Sequence, residues 1–305
     1  MSVDGAPRML AYDVVDVFTE TAFAGNPLAV VHGAEGLSDA QLQAIAGEFN
    51  LSETTFPAVA PNGPANLYSV RIFTPGGEIP FAGHPTLGTA WVLRQQGRLA
   101  AGTVVQRCGV GDIEVRVPEL ASDLTGLAAT PRDLIGPIDP RPVAEAVGLP
   151  ASAVTGDVMM AGCGLGWVHL PVATDALAHC RPGAALADVL PGGADDVLDP
   201  GAGVNVFSAA PGPASLDVRS RVFCPDVSGV EDPATGSAAA GLGVALVATG
   251  ALPSGGGFTV RQGVEMGRPS TLYGHVTTEI GRTVRCEVAG GVVAVASGTI
   301  AVPEV

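Results

Sequence analysis

The sequence predicts an α+β fold of two similar halves, each a mostly antiparallel sheet wrapped around one central helix. Three observations carry this prediction. Runs rich in Val, Ile, Phe and Tyr dominate the first half, as is typical of strands. The block Arg71-Ile72-Phe73-Thr74-Pro75 recurs 150 residues later as Arg221-Val222-Phe223-Cys224-Pro225. Each copy is followed by a glycine-containing loop and an alanine-rich apolar segment, which indicates a duplication in which each helix is buried on all sides.

The first half contains clear strand and helix signals. Ser38 and Gln41 form a capping box, and Leu42, Ile45 and Ala46 share one face of the helix that follows, which should end near residues 47–50. A strand is then predicted over 51–56. The remaining predicted strands are 11–18, 27–31, 66–73 and 103–107.

The two copies predict the two central helices. His84-Pro85 should open a helix over 86–94, and Asp232-Pro233 should open one over 236–248, because proline suits the first turn of a helix. We therefore expect an N-terminal half over 1–125, which carries Glu53 and His84, and a C-terminal half over 126–305. Residues 126–150 form the expected crossover. The last strand, within 291–305, pairs with either half.

Composition excludes several classes of protein. The 305 residues are 47% hydrophobic and 15% charged, with a formal net charge of −15. An acidic chain of this kind is a poor candidate for binding nucleic acid or an anionic membrane surface. The five cysteines contain no CxxC pair, so neither a disulfide framework nor a zinc site is indicated. No membrane span or signal segment is recognised, and a cytoplasmic location is expected.

The helix starts are the candidate binding elements. Unpaired N–H groups and the helix dipole at residues 83–86 and 232–237 would together bind a carboxylate or a developing enolate oxygen, if the duplication makes the two starts face each other across a cleft. The alternative is that Asp232 is a helix cap and the glycines are turn residues. His84 is either a neutral proton relay or a capping histidine. From spacing alone, Glu53 is an exposed turn residue.

Six ordered blocks decide between these interpretations. They lie between residues 14 and 273, nearly the whole chain. The blocks are Asp16-Val17-Phe18-Thr19 with Phe23-Ala24-Gly25-Asn26-Pro27, Asn50-Leu51-Ser52-Glu53-Thr54-Thr55-Phe56, Arg71-Ile72-Phe73-Thr74-Pro75, Phe81-Ala82-Gly83-His84-Pro85-Thr86, Glu231-Asp232-Pro233-Ala234-Thr235-Gly236-Ser237-Ala238 and Gln262-Gly263-Val264-Glu265-Met266-Gly267-Arg268-Pro269-Ser270. Together they resemble the PhzF-like family of phenazine-biosynthesis isomerases. The family is similar in fold to diaminopimelate epimerase.

The resemblance implies a role for each site residue. Glu53 takes the position of the catalytic acid/base, with His84, Asp232 and Ser237 around the transferred proton. Gly83 and Gly236 stand where the epimerases carry two catalytic cysteines, so a two-thiolate mechanism is disfavoured. The expected substrate-binding residues are Gly83, Thr86, Thr235 and Gly236, with 262–270 shaping the cleft. The resemblance implies a homodimer without metal or cofactor.

The resulting hypothesis is an isomerase that transfers a proton on a small unsaturated cyclic amino or hydroxy acid. In the family, trans-2,3-dihydro-3-hydroxyanthranilate is such a substrate. The alternatives are a tautomerase, epimerase or dehydratase acting on another secondary-metabolite carboxylic acid, and a non-catalytic binder of small molecules with the same fold. Proton transfer by one carboxyl requires that burial raise its pKa towards neutrality.

Overall fold

The chain folds into two compact units in a computed structural model that describes residues 7–60, 63–120, 123–132, 134–190, 202–212, 216–225 and 231–304. The first unit consists of Met1–Leu127 with Gly290–Val305, and the second of Ala128–Ala289. The glycine-containing loop after the second copy of the repeat, at 226–230, lies outside the described residues.

Three strands of the first unit, at 77–79, 111–117 and 125–129, were not predicted from the sequence. In all, the unit contains nine strands and two helices within its described residues. They are β1 (Met9–Val17), β2 (Asn26–Val31), α1 (Asp39–Phe49), β3 (Glu53–Ala58), β4 (Leu67–Thr74), β5 (Gly77–Ile79), α2 (Gly83–Gln95), β6 (Gly102–Cys108), β7 (Gly111–Val117) and β8 (Thr125–Ala129), which reaches the unit boundary, together with the C-terminal strand, Val292–Ala301.

The second unit contains the remaining elements. They are β9 (Ile135–Ile138), α3 (Pro140–Ala146), β10 (Val158–Cys163), β11 (Leu165–Pro171), β12 (Gly203–Pro211), β13 (Leu216–Phe223), β14 (Glu231–Asp232), α4 (Gly236–Ala248), β15 (Gly256–Gln262), β16 (Ser270–Glu279) and β17 (Arg282–Gly290), with short 3₁₀ turns at Ala151–Ala153, Thr174–His179 and Ala184–Val189. The C-terminal strand Val292–Ala301 is accordingly β18. The expected crossover, 126–150, thus holds strands as well as the predicted short helix.

The strand pairings repeat between the units. In the first unit, β1 and β2 are antiparallel, β2 and β3 parallel, β3 and β4 antiparallel, and β4 and β6 parallel. In the second unit, β10 and β11, β11 and β12, β12 and β13, and β13 and β15 pair in the same four ways. The C-terminal strand β18 pairs antiparallel with β1, which places it in the first unit.

The repeated register identifies equivalent residues. Phe73 pairs with Glu78, and Phe223 pairs with Glu231. Each glutamate also binds the arginine of its repeat bidentately, Arg71 in the first unit and Arg221 in the second. From these glutamates onward the two copies run in step, because α2 and α4 each begin five residues later and are each 13 residues long. Gly83 is therefore equivalent to Gly236, and His84 to Ser237.

This register corrects one sequence prediction. Asp232-Pro233 does not open a helix: Asp232 ends the short strand β14, and α4 begins at Gly236 after its N-cap Thr235. The equivalent pair in the first unit is Ile79-Pro80, and His84-Pro85 lies inside the first turn of α2. The error arose because the loop after the second arginine block is three residues longer than the loop after the first.

The two central helices are buried on nearly every side, as predicted. Ten of the thirteen residues of each helix are buried. Glycine permits the closest approach of helix to sheet at equivalent positions. A Cβ at Gly88 would lie 2.6 Å from Leu28 Cδ2, and one at Gly241 would lie 2.7 Å from the carbonyl oxygen of Ala161. Both distances are shorter than contact distances. At Gly88 the neighbouring atom is the end of the Leu28 side chain, whereas at Gly241 it is a backbone carbonyl oxygen, so a side chain at Gly241 would push α4 off its sheet.

No helix in the described part of the chain is long and apolar enough to cross a membrane.

The close approach at Gly241 yields the first prediction. We expect Gly241→Ala to lower the free energy of unfolding by about 1–3 kcal/mol, since a rigid backbone carbonyl cannot yield to the added methyl group. Gly47→Ala in α1 is the matched control, because a Cβ there meets nothing within 4 Å. It should raise stability by up to about 1 kcal/mol through helix propensity alone. Urea unfolding midpoints measure both, and a stabilising Gly241→Ala would contradict the packing argument.

Candidate active site

The first unit brings Glu53 and His84 together. Glu53 is the first residue of β3, and His84 is the second residue of α2. Helix α1 ends at Asn50, which takes a left-handed conformation (φ 50°) and turns the chain toward β3. Asparagine tolerates this conformation better than most residues. The local sequence thus places the carboxyl of Glu53 beside the start of the central helix.

The pair is largely enclosed. Glu53 Oε2 lies 3.5 Å from His84 Nε2, and the two side chains are only 16% and 6% exposed, respectively. Burial raises the pKa of Glu53 from 4.5 to about 7, and a hydrogen bond with the Ser52 side chain opposes this rise. Desolvation disfavours the ionised form of a carboxyl, whereas hydrogen bonds to it favour that form. At neutral pH, Glu53 therefore exists in both protonation states and is able both to accept and to donate a proton.

Hydrogen bonds among buried polar side chains fix the first turn of α2. Thr86, in the first turn, donates a hydrogen bond from its hydroxyl to the carbonyl of Ala82 (2.9 Å) and accepts one from Gln106 (2.8 Å). Tyr68 donates to Gln106 in turn, at 2.8 Å. The hydroxyl of Thr86 is thus occupied within the first unit, and its predicted contact with substrate stays a prediction.

The second unit assembles Asp232, Thr235 and Gln262. Asp232 Oδ2 accepts a hydrogen bond from the Thr235 hydroxyl at 2.5 Å. Gln262 donates to the Asp232 carbonyl (2.8 Å) and to Thr235 Oγ1 (3.0 Å), and it accepts from the Thr235 backbone N–H (3.2 Å). All three side chains are buried. The amide of Gln262 therefore fixes the segment between β14 and α4.

Neither central helix has a side-chain cap. Ala82, the N-cap of α2, has no polar side chain, and Thr235, the N-cap of α4, makes no capping hydrogen bond. Thr235 is a good capping residue by type, but its hydroxyl is committed to Asp232 and Gln262. The first-turn N–H groups at Gly83 and Gly236 are thus left without a side-chain acceptor from their own N-cap, as an anion-binding helix start requires.

Ser237, in the first turn of α4, is held by a tryptophan. Trp167 in β11 is 2% exposed, and its indole Nε1 donates to Ser237 Oγ at 3.2 Å. In the register of the repeat, Trp167 pairs with Gly203, as Leu28 pairs with Glu53 in the first unit. The second unit accordingly carries glycine at the position of Glu53 and serine at the position of His84.

Sequence reasoning missed two of these residues. Gln106 and Trp167 belong to none of the six blocks, and each pairs on one side with a strand that is distant along the chain. A buried tryptophan needs an acceptor for its N–H group, but the sequence does not reveal which residue provides it. Gln262 lies in the sixth block, where it was expected to shape the cleft.

Within the described ranges, no three His, Cys, Asp or Glu side chains cluster as metal ligands would.

Comparison with known proteins gives consistent results. The model of the family described as "Phenazine biosynthesis-like protein" matches residues 15–298. An uncharacterized isomerase of Mesorhizobium japonicum is 34% identical over 95% of this chain and 98% of its own. The trans-2,3-dihydro-3-hydroxyanthranilate isomerase of Pseudomonas fluorescens is also 34% identical, over 95% and 98% of the two chains.

The solved structures agree with the fold. The phenazine biosynthesis protein of the PhzF family from Bacillus anthracis superposes with a TM-score of 0.79 at 21% identity, over 96% of this chain and 99% of its own. The predicted epimerase-like α+β fold is thereby confirmed.

The raised pKa of Glu53 predicts how stability varies with pH. A carboxyl whose pKa is higher in the folded state stabilises the protein fully below its unfolded value, near 4.5, and loses this contribution as the pH rises through about 7. Glu53→Gln stays neutral throughout, so the variant should gain stability relative to the wild type as pH rises from 5 to 8. The gain should be on the order of 3 kcal/mol at most.

Denaturant unfolding at several pH values measures this gain. Glu114→Gln is the matched control, because Glu114 is exposed on β7. If the difference between Glu53→Gln and wild type did not change with pH, the carboxyl would not be desolvated as described.

Proposed function

The chain is an isomerase of the phenazine biosynthesis-like family, and we propose that it moves a proton on a small unsaturated cyclic carboxylic acid with Glu53 as the acid/base. The observation that carries this proposal is the enclosed Glu53–His84 pair. A carboxyl with a pKa of about 7 is matched to proton transfer at neutral pH. His84 lies close enough to hold or relay the proton.

The proposed substrate is trans-2,3-dihydro-3-hydroxyanthranilate. Support comes from the relatives of that name, which are similar to this chain over nearly their whole length. On this substrate, the ionised Glu53 removes the proton from the hydroxyl-bearing carbon, and the negative charge spreads over the conjugated ring. Glu53, now protonated, returns the proton to another ring carbon, and the resulting enol relaxes to a ketone. Atoms and charge balance without a redox step or a cofactor.

The second unit carries polar groups of its own, for which we propose substrate-binding roles. Asp232 is an acceptor for an amino group, because an ionised carboxylate accepts hydrogen bonds from an ammonium or amine. Ser237 and the first-turn N–H group of Gly236 are donors for a carboxylate, and the N–H group of Gly83 has the same role at the start of α2. The absence of a cysteine at Gly83 and Gly236 argues against the two-thiolate epimerase mechanism. Thr235 orients Asp232 through its hydroxyl.

We further propose that the enzyme is located in the cytoplasm and that it forms a homodimer. The five cysteines, all within the described residues, form no disulfide, which suits a reducing compartment. Light scattering of the purified protein should give twice the 30.4 kDa mass of the chain, and a monomeric mass would refute the dimer.

The activity prediction concerns Glu53→Gln. With trans-2,3-dihydro-3-hydroxyanthranilate in deuterated water, the wild type should convert the substrate, and NMR follows the product. Glutamine keeps the shape of the side chain but is unable to take up the proton, so turnover should fall by about 10³-fold, within the range of general acid–base catalysis.

Glu78→Gln controls for the loss of a carboxyl elsewhere, since Glu78 is paired with Arg71 outside the candidate site. Equal turnover by wild type and Glu53→Gln would refute the role of Glu53. A product lighter by one water would identify a dehydratase instead, and lack of turnover by the wild type would remove this substrate.

A further inference from the structure

Trp167 is buried in the second unit and also makes a hydrogen bond to the Ser237 side chain. Its indole N–H is donor only, and it is directed at Ser237 Oγ over 3.2 Å. Among the described residues, this is the one hydrogen bond of the Ser237 hydroxyl. Because the serine oxygen accepts from the indole, its own proton is turned away from Trp167 and stays available to a further acceptor.

The internal repeat shows which residue of the first unit corresponds to the space that the Trp167 indole occupies. Gly203 occupies the position of Glu53, and a Cβ there would lie 2.9 Å from Trp167 Cζ3 and 2.1 Å from the carbonyl oxygen of Phe223. The indole therefore fills the space where a side chain equivalent to that of Glu53 would begin. Where the first unit directs a carboxyl at His84, the second unit directs an N–H donor at Ser237.

We propose that Trp167 is a positioning residue that holds the Ser237 hydroxyl as a hydrogen-bond donor to the substrate carboxylate. This inference rests on the proposed function and deepens it. A serine hydroxyl rotates freely and either donates or accepts. The indole N–H takes one of the two lone pairs of Ser237 Oγ, which restrains the rotation of the hydroxyl and directs its proton away from Trp167, towards an acceptor oxygen on the ligand.

The role predicts a particular kinetic signature. A carboxylate carries the same charge in the bound substrate and in the transition state, so a donor to it contributes uniform binding. Trp167→Phe keeps an aromatic ring in the core but removes the N–H group. We expect this variant to raise KM about tenfold, the size of one hydrogen bond to a charged group, with kcat changed less than about twofold.

A double-mutant cycle with Ser237→Ala separates positioning from packing. Trp167→Phe should cost about tenfold in kcat/KM in the wild-type background and nearly nothing in Ser237→Ala, because the hydroxyl it orients is then absent. Trp91→Phe, in α2, is the matched control for loss of a buried tryptophan. An equal cost in both backgrounds, or a loss confined to kcat, would overturn the proposal.

A binding measurement tests the role of Trp167 independently of whether the proposed substrate is converted. The equilibrium dissociation constant of anthranilate, a stable aromatic carboxylate, is measured by calorimetry for wild type, both single variants and the double variant. If the wild type binds anthranilate but does not turn over the dihydro compound, the proposed reaction fails. The same cycle then supports Trp167 if binding weakens about tenfold only when Ser237 is present. A wild type that neither converts the one nor binds the other would overturn both.

The hydrogen bond itself has a spectroscopic signature. The chain has two tryptophans, so its ¹H–¹⁵N spectrum shows two indole resonances, and Trp167→Phe assigns them. Ser237→Ala should shift the Trp167 resonance and leave that of Trp91 in place. An unmoved Trp167 resonance would show that the indole does not bind Ser237 in solution, which contradicts the proposal.

Discussion

Burial of a helix on all sides is the constraint on which each unit depends. A helix enclosed by strands presents only its ends to a ligand, so polar chemistry has to occur at a terminus. Glycines at Gly88 and Gly241 let each helix lie against its sheet closely enough for this enclosure. Neither N-cap side chain bonds to the first turn of α2 or α4, so these side chains do not compete with a ligand for the helix N-termini. The candidate site residues cluster at these two starts for that reason.

The duplicated framework carries different side chains in its two copies. Equivalent positions hold Glu53 and Gly203, and His84 and Ser237, although the backbone pairings are the same. The first unit thus offers an acid/base pair. The second offers Ser237 as a donor and Asp232, beside Thr235, as an acceptor. The duplicated framework thus carries different chemistry in its two copies, whereas a symmetric pair of bases would need the same residue in both.

Much of the fold was predictable from the sequence, because strand runs, the capping box at Ser38 and the repeated arginine block are local signals. Asp232-Pro233 was misread as a helix start, since spacing along the chain does not reveal a loop longer by three residues. The proximity of Glu53 and His84 came only from the family resemblance. Trp167 was missed because its contact with Ser237 depends on sheet register, and register is a tertiary property.

Glu53 and Glu231 differ more in the side chain that lies beside each carboxyl than in their burial. Glu231 is 14% exposed and forms a bidentate pair with Arg221, and Glu78 pairs in the same way with Arg71. Glu53 is 16% exposed, yet the side chain beside it is His84, and its pKa rises to about 7. The partly buried Glu231 and the exposed Glu78 are thus both paired with arginine, whereas the enclosed Glu53 lies beside a histidine. An arginine beside Glu53 would stabilise the ionised form of its carboxyl. In the proposed mechanism this would prevent the return of the proton, so the uncompensated burial of Glu53 is a cost in stability that the proposed acid/base role requires.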